Sequence, residues 1–420
     1  MIYKETDKKL LYWLYPILFV VCYFQAMNII PPGLPGEGKF IWPFRLIMLY
    51  LGVKAYKLNS YKCTPLNFFI GYSLLSVVLY LINGYPLGLY FNEVAFFLPA
   101  VLFCYIGMES SDTTDNFYKY TLWAIAAFFV IGLYLYFLPP SWYQNAWVRR
   151  MESKWYLEGM NVSYDHIAEN MRFSSFMLTS YATEYFGIFA VPMAISFMAR
   201  EEIKKLKWGY LLIVLISIVC VVLSMQRSAI LASFLVLLFY FIYDNTHYHK
   251  GGKFYILLLA LVVIFFTTYS QSELGIRILE RFDAINIDDA FNESRVEQNQ
   301  NAFSAMQNIV FGSGIGTCGS SARRLGLPAV TDSNYMKLFF EQGIIGIIIF
   351  LVLVVKTLLR VKSNFKYLFA EGAIIASYLI AMIGSNALSF SLFSPLFWYA
   401  VGRIWNDEYL YNLKIKELHI

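Results

Sequence analysis

The residues best suited to chemistry in this 420-residue chain are its arginines. Of thirteen, ten fall on one side of the topology read below: Arg45, Arg149, Arg150, Arg172, Arg227, Arg277, Arg281, Arg295, Arg323 and Arg324. Lysine divides the other way, with 17 of 20 on the opposite side and only Lys39, Lys154 and Lys337 beside the arginines. A rule that merely places positive charge would treat the two cations alike. A phosphate site would not, because guanidinium is planar, permanently charged and able to hold two phosphate oxygens at once. Acids of the same loops, such as Glu280, Asp283, Asp288 and Asp289, offer a plainer account of many of these arginines. That account suits Arg45 and Arg227 poorly, because both sit at or within apolar runs, where charge is costly.

A proton acceptor would have to be a carboxylate or a histidine. Asp332 is the best placed acid on the arginine-rich side, although Asp before a helix is also a common N-cap. Glu341 follows, with a helix N-terminal charge as its plainer role. The four histidines are His166, His247, His249 and His419, three of them on the lysine-rich side, and no cluster has metal-ligand spacing. Neither a metal nor a cofactor is expected. Gly312, Gly314 and Gly316 lack the third glycine of a dinucleotide fingerprint and follow no strand, so they read as a tight turn or a close approach. The five cysteines include one, Cys318, on the arginine-rich side, which leaves it no internal disulfide partner there.

These residues must be positioned by membrane helices. The chain is 59% hydrophobic and 15% charged, with mean hydropathy +0.54. Soluble domains carry nearer a quarter charged residues, so lipid must solvate much of this surface. Runs of about 20 apolar residues fall at 11–30, 40–56, 66–83, 88–108, 117–138, 181–199, 209–225, 228–243, 254–270, 340–356, 367–385 and 391–405. That predicts an all-α polytopic protein of about 12 transmembrane helices, a single integral domain over 1–420. The run 210–243 is too long for one crossing and breaks at Gln226–Arg227–Ser228 into two spans with a tight turn. Lys4, Lys8 and Lys9 lead into an uncleaved first span. Lysine- and arginine-bearing short loops put both termini in the cytoplasm. The net charge of +5 is modest and does not argue for nucleic acid.

Two long loops, 139–180 and 271–339, then lie outside. The second is too long for a connector. Within it Ser294-Arg-Val-Glu297 reads as a capping box, and Val296, Phe303, Met306 and Val310 recur at helical spacing. A helix over the membrane domain is expected there.

Four segments on this outer side resemble the Wzy-type O-antigen polymerase and O-antigen ligase superfamily. They are Arg172-Phe-Ser-Ser-Phe176, Leu223-Ser-Met-Gln-Arg-Ser-Ala229, Ser294-Arg295 followed by Phe311-Gly-Ser-Gly-Ile-Gly316, and Asp332-Ser-Asn-Tyr-Met-Lys-Leu-Phe-Phe-Glu-Gln-Gly-Ile-Ile-Gly346. The resemblance covers roughly 170–360. It implies a bundle of the kind found in lipid-dependent glycosyltransferases (GT-C-like), in the bacterial inner membrane. It also implies an undecaprenyl-diphosphate-linked oligosaccharide as substrate at the periplasmic face, membrane lipid as surroundings, and a chain-length regulator and a flippase as further partners. A hydroxyl of the acceptor sugar would attack the donor's anomeric carbon, and undecaprenyl diphosphate would leave. Pre-placed cations would stabilise the charge gathering on that group. Arg227 and Arg295 are the candidates, Asp332 is the candidate base, and Arg172, Arg45, Asn334 and Glu341 are candidate binding residues. Ligases of this family resemble one another in a histidine where this chain reads Asp332-Ser-Asn334, which favours polymerase over ligase. A flippase or secondary transporter should show two related halves and short loops on both sides, which this chain does not. A scaffold would not need Arg45 within a span.

Overall fold

A computed structural model describes residues 5–30, 34–35, 39–110, 115–155, 164–169, 171–201, 203–247, 300–318, 322, 327, 333–418. The described residues are helical and contain no strand. In chain order the helices are α1 Glu5–Ala26, α2 Trp42–Asn59, α3 Thr64–Leu75, α4 Val77–Asn83, α5 Leu87–Glu109, α6 Asn116–Phe137, α7 Ser141–Trp155, α8 Tyr164–Glu169, α9 Ser180–Arg200, α10 Lys204–Leu223, α11 Arg227–His247, α12 Asn334–Ser363, α13 Phe365–Gly384, α14 Ser394–Ile404 and α15 Asp407–Leu418. Among the described residues, eight segments are long and apolar enough to cross a bilayer: α1, α3 with α4, α5, α6, α9, α10, α12 and α13. The chain is therefore a polytopic all-α membrane protein.

Most expected spans coincide with a helix. The exception in kind is 391–405, where α14 has 11 residues, a length of about 16 Å against a hydrocarbon core of about 30 Å. Every residue of α14 is buried, so it is an inner, protein-enclosed segment and no full crossing. The expected span 254–270 lies outside the described residues. The loop helix is present at 300–305 but ends before Met306, and Val310 lies in the turn that follows. The capping box at 294–297 lies outside the described residues.

The chain forms two compact units. Unit 1 comprises Met1–Val21, Gly36–Thr121 and Ser294–Ile420, and unit 2 comprises Cys22–Pro35 and Leu122–Glu293. In unit 1, α5 packs most extensively on α14 and α2. The α5–α14 crossing is close enough that a Cβ on Gly402 would lie 1.8 Å from the Cys104 carbonyl oxygen. Small residues permit such backbone approach where helix packing, and not water exclusion, drives association. Unit 2 is built on α9 packed between α10 and α11. The apolar window of α9 is 89% buried, against 33% for α12, so protein encloses the first while much of the second faces outward.

Candidate functional site

In unit 2 the tight turn falls where the sequence places it. α10 ends at Leu223, Met225 adopts φ 54°, and α11 starts at Arg227. The Arg172 segment docks on this turn through the Phe173 N–H, which donates to the Leu223 carbonyl at 3.1 Å. α9 completes the contact: Gln226 Nε2 donates to Ser180 Oγ at 2.7 Å, and Ser228 Oγ donates to Glu184 Oε1. Two segments distant in sequence are thereby brought together at Arg172 and Arg227. Burial holds the Arg172 guanidinium below the usual arginine range, and the neighbouring charge of Arg227 lowers it further while Tyr181 opposes. Neither arginine pairs with a carboxylate among the described residues. Two half-buried cations near one another, without a carboxylate partner among the described residues, are what an anionic ligand would relieve.

Glu184 escaped the sequence reading. It is fully buried in α9, with Oε2 unpartnered among the described residues. An acid inside an apolar span was the available signal. Arg149, by contrast, has a structural role: it donates to the Ala26 carbonyl at 2.9 Å and to Asn28 Oδ1 at 2.7 Å, closing the end of α1.

In unit 1 the candidate residues gather around a break in α12. Gly343 has φ 64° and ψ −167° inside this helix. A continuous helix would bond Ile344 N–H to the Phe340 carbonyl and Ile345 N–H to that of Glu341. Here the segment 309–314 supplies all four partners. Ile344 and Ile345 donate to the carbonyls of Ile309 and Val310, and Ser313 and Gly314 donate to those of Phe340 and Glu341, at 2.8–3.2 Å. Tyr72 approaches the Gln342 carbonyl at 2.9 Å. Broken backbone within a membrane protein is tolerated when protein satisfies it in this way. Gly312 is obligatory because a Cβ would lie 2.5 Å from the Glu341 carbonyl carbon, and its φ is 80°. The glycine segment is thus a backbone dock against a helix.

Glu341 anchors the same dock. Its Oε1 accepts from Gly316 N–H at 2.9 Å and Cys318 N–H at 3.3 Å, and Lys337 Nζ lies 3.7 Å away. Lys337 donates to Glu93 Oε1 at 2.7 Å and to Ser389 Oγ at 3.0 Å. Asn334 Oδ1 accepts from Leu388 N–H at 3.0 Å. Glu93, Asn334, Lys337, Glu341 and Ser389 all line one pocket of about 50 Å³. Glu341 is therefore buried, bonded and held beside a cation, and not simply a charge at a helix start. Lys337 and Glu93 were missed by a reading that weighted arginine. Their signals were the four-residue spacing of Lys337 and Glu341 and an acid within the run 88–108.

Arg45 is buried on α2, with Nη2 donating to Ser391 Oγ at 3.3 Å and the guanidinium 3.8 Å from the Phe96 ring centre. Phe96 also lines the pocket. Its charge is stabilised by an aromatic face without a carboxylate among the described residues. Ser333 caps α12, its Oγ accepting from Met336 N–H at 3.4 Å, so the cap is Ser333 in place of Asp332. Arg295 and Asp332 themselves lie outside the described residues. Arg172 and Arg227 thus fall in unit 2, and Arg45, Asn334 and Glu341 in unit 1.

Helix after apolar helix, with cations and acids held at breaks and turns, defines a polytopic membrane protein with buried polar sites. Residues 212–351 match the family model described as O-antigen ligase. That stretch holds the Arg227 turn, the glycine segment and the break in α12, while Arg172, Arg45 and Glu93 lie outside it. The match supports glycosyl transfer of the ligase or polymerase type. Comparison with curated proteins gives no match.

Proposed function

We propose that this protein polymerises undecaprenyl-diphosphate-linked oligosaccharide repeat units at the periplasmic face of the inner membrane, with both termini in the cytoplasm. The observation that carries this reading is the Arg172–Arg227 pair, two neighbouring cations without a described carboxylate partner. They would grip the donor diphosphate and take up the charge that develops as it leaves. Arg295 would join them and Asp332 would accept the proton of the attacking hydroxyl. Ligation of finished glycan to a lipid A core is the second reading, favoured by the description of the matching family model. Asp332-Ser-Asn334, standing where ligases of the superfamily carry histidine, weighs toward polymerisation.

A gel of surface glycan from a deletion strain tests the choice. Single repeats on core indicate a polymerase, and loss of all capping glycan indicates a ligase. Arg227→Ala or Arg172→Ala should remove long glycan at normal protein level, a loss on the order of 10²–10³ in rate for one stabilising donor. Normal chain length in both variants would refute the diphosphate grip.

A further inference from the structure

The unit 1 pocket carries a chemistry distinct from the arginine pair. It runs beside α12 from Asn334 to Gln342, nine residues whose ends lie about 12 Å apart along the helix. Its polar wall mixes two carboxylates, Glu93 and Glu341, with one ammonium, Lys337, two amides, Asn334 and Gln342, and one hydroxyl, Ser389. Its apolar wall includes Trp398. Two lining residues also contribute buried polar atoms without a partner among the described residues, the indole N–H of Trp398 and Oε1 of Gln342. Buried polar groups without partners are uncommon and call for an explanation.

The lining selects a ligand class. An anion would meet two carboxylates, and a small cation would meet Lys337. An alkyl chain would leave the charged and amide groups facing hydrocarbon without hydrogen-bond partners, which is unfavourable. A polyol donates and accepts through the same groups, which is what a wall of mixed donors and acceptors requires, and the C–H face of a pyranose packs on an aromatic surface. About 50 Å³ holds on the order of three or four water-sized groups, enough for a hydroxymethyl and its neighbouring hydroxyls but less than a whole ring.

We infer that this pocket is a saccharide subsite that receives the hydroxyl-bearing edge of a neutral pyranose. The inference rests on the proposed saccharide chemistry but not on the arginine pair, and the two fail separately. The test uses full-length protein in lipid nanodiscs, because maltoside detergents carry sugar headgroups. Methyl glycosides of glucose, galactose, mannose and N-acetylglucosamine are titrated to millimolar concentrations while thermal unfolding is followed. At least one should raise the melting temperature saturably. Trp398→Phe removes an N–H on which no described partner depends, and Asn334→Ala removes the amide. Each should weaken that response about tenfold, the worth of one hydrogen bond. No response to any glycoside, or an unchanged response in both variants, would overturn the subsite and leave a pocket for solvent alone. Arg227→Ala is measured in parallel. A sugar response that persists while this variant still makes long glycan would sink the diphosphate grip and spare the subsite. Loss of long glycan without any sugar response would do the reverse.

Discussion

Lys337 Nζ lies 2.7 Å from Glu93 Oε1, joining the first turn of α12 to α5 within unit 1. Removing one member of a buried ion pair leaves the other charged and unmatched, at a cost of about 3–5 kcal/mol. Lys337→Met should therefore lower the melting temperature sharply. The double variant Lys337→Met/Glu93→Gln should lose less than the sum of the single changes. Additive losses in a thermal unfolding series would show that the pair does not couple the two helices.

Gly343 should be among the least replaceable residues. At φ 64°, a Cβ there would stand 2.3 Å from the Val310 carbonyl oxygen. Gly343→Ala combines left-handed strain of about 1–2 kcal/mol with loss of the 309–314 dock. Gly71→Ala is the control, since a Cβ at this position in α3 would meet nothing within 4 Å, and it should match or exceed wild-type stability by about 0.5–1 kcal/mol. Equal melting temperatures for the two variants would contradict the described break.

Thiol labelling reads the same dock from another direction. All five cysteines are buried. Burial, then the charge of Glu341, pushes the Cys318 thiol up to about 12, and burial pushes Cys63 up to about 11. Both values lie far above neutral pH, so the thiols stay protonated and unreactive. Maleimide at neutral pH should leave the intact mass of the native protein unchanged and add five adducts in denaturant. Fast native labelling at Cys318 would mean that residues 316–318 do not sit on Glu341.

At Arg172 and Arg227 the geometry of the cation should matter as well as its charge. Arg227→Lys keeps a positive charge but loses the two-pronged contact. Glycan from this variant should be intermediate in length between wild type and Arg227→Ala on the same gel. Full activity with lysine would reduce the arginine to a point charge.

Much of the helical pattern was legible in the sequence because lipid imposes a length and a composition on each crossing. Arg227 was legible as a charge at the edge of an apolar run beside a short turn, and Arg172 through the segment 172–176 that resembles the family. The unit 1 site was legible only in part. Asn334 and Glu341 were found through their segment, but Lys337 was counted as one loop lysine among others. Nothing local announces that Glu93, more than 240 residues earlier, is its partner. The role of the glycines was similarly hidden. Their spacing signals permissive backbone, but only tertiary structure identifies the neighbour as an interrupted helix. α14 was over-read as a crossing because an apolar run buried in protein and one bathed in lipid have the same composition.

The four crossed hydrogen bonds at Gly343 have a mechanical consequence. An interrupted helix ordinarily offers a pivot, yet here each half of α12 is stitched at the gap to the same short segment. Swinging one half would tear bonds made by both. The joint is therefore welded, and any working stroke of α12 during a reaction cycle must carry residues 309–314 along as a single block.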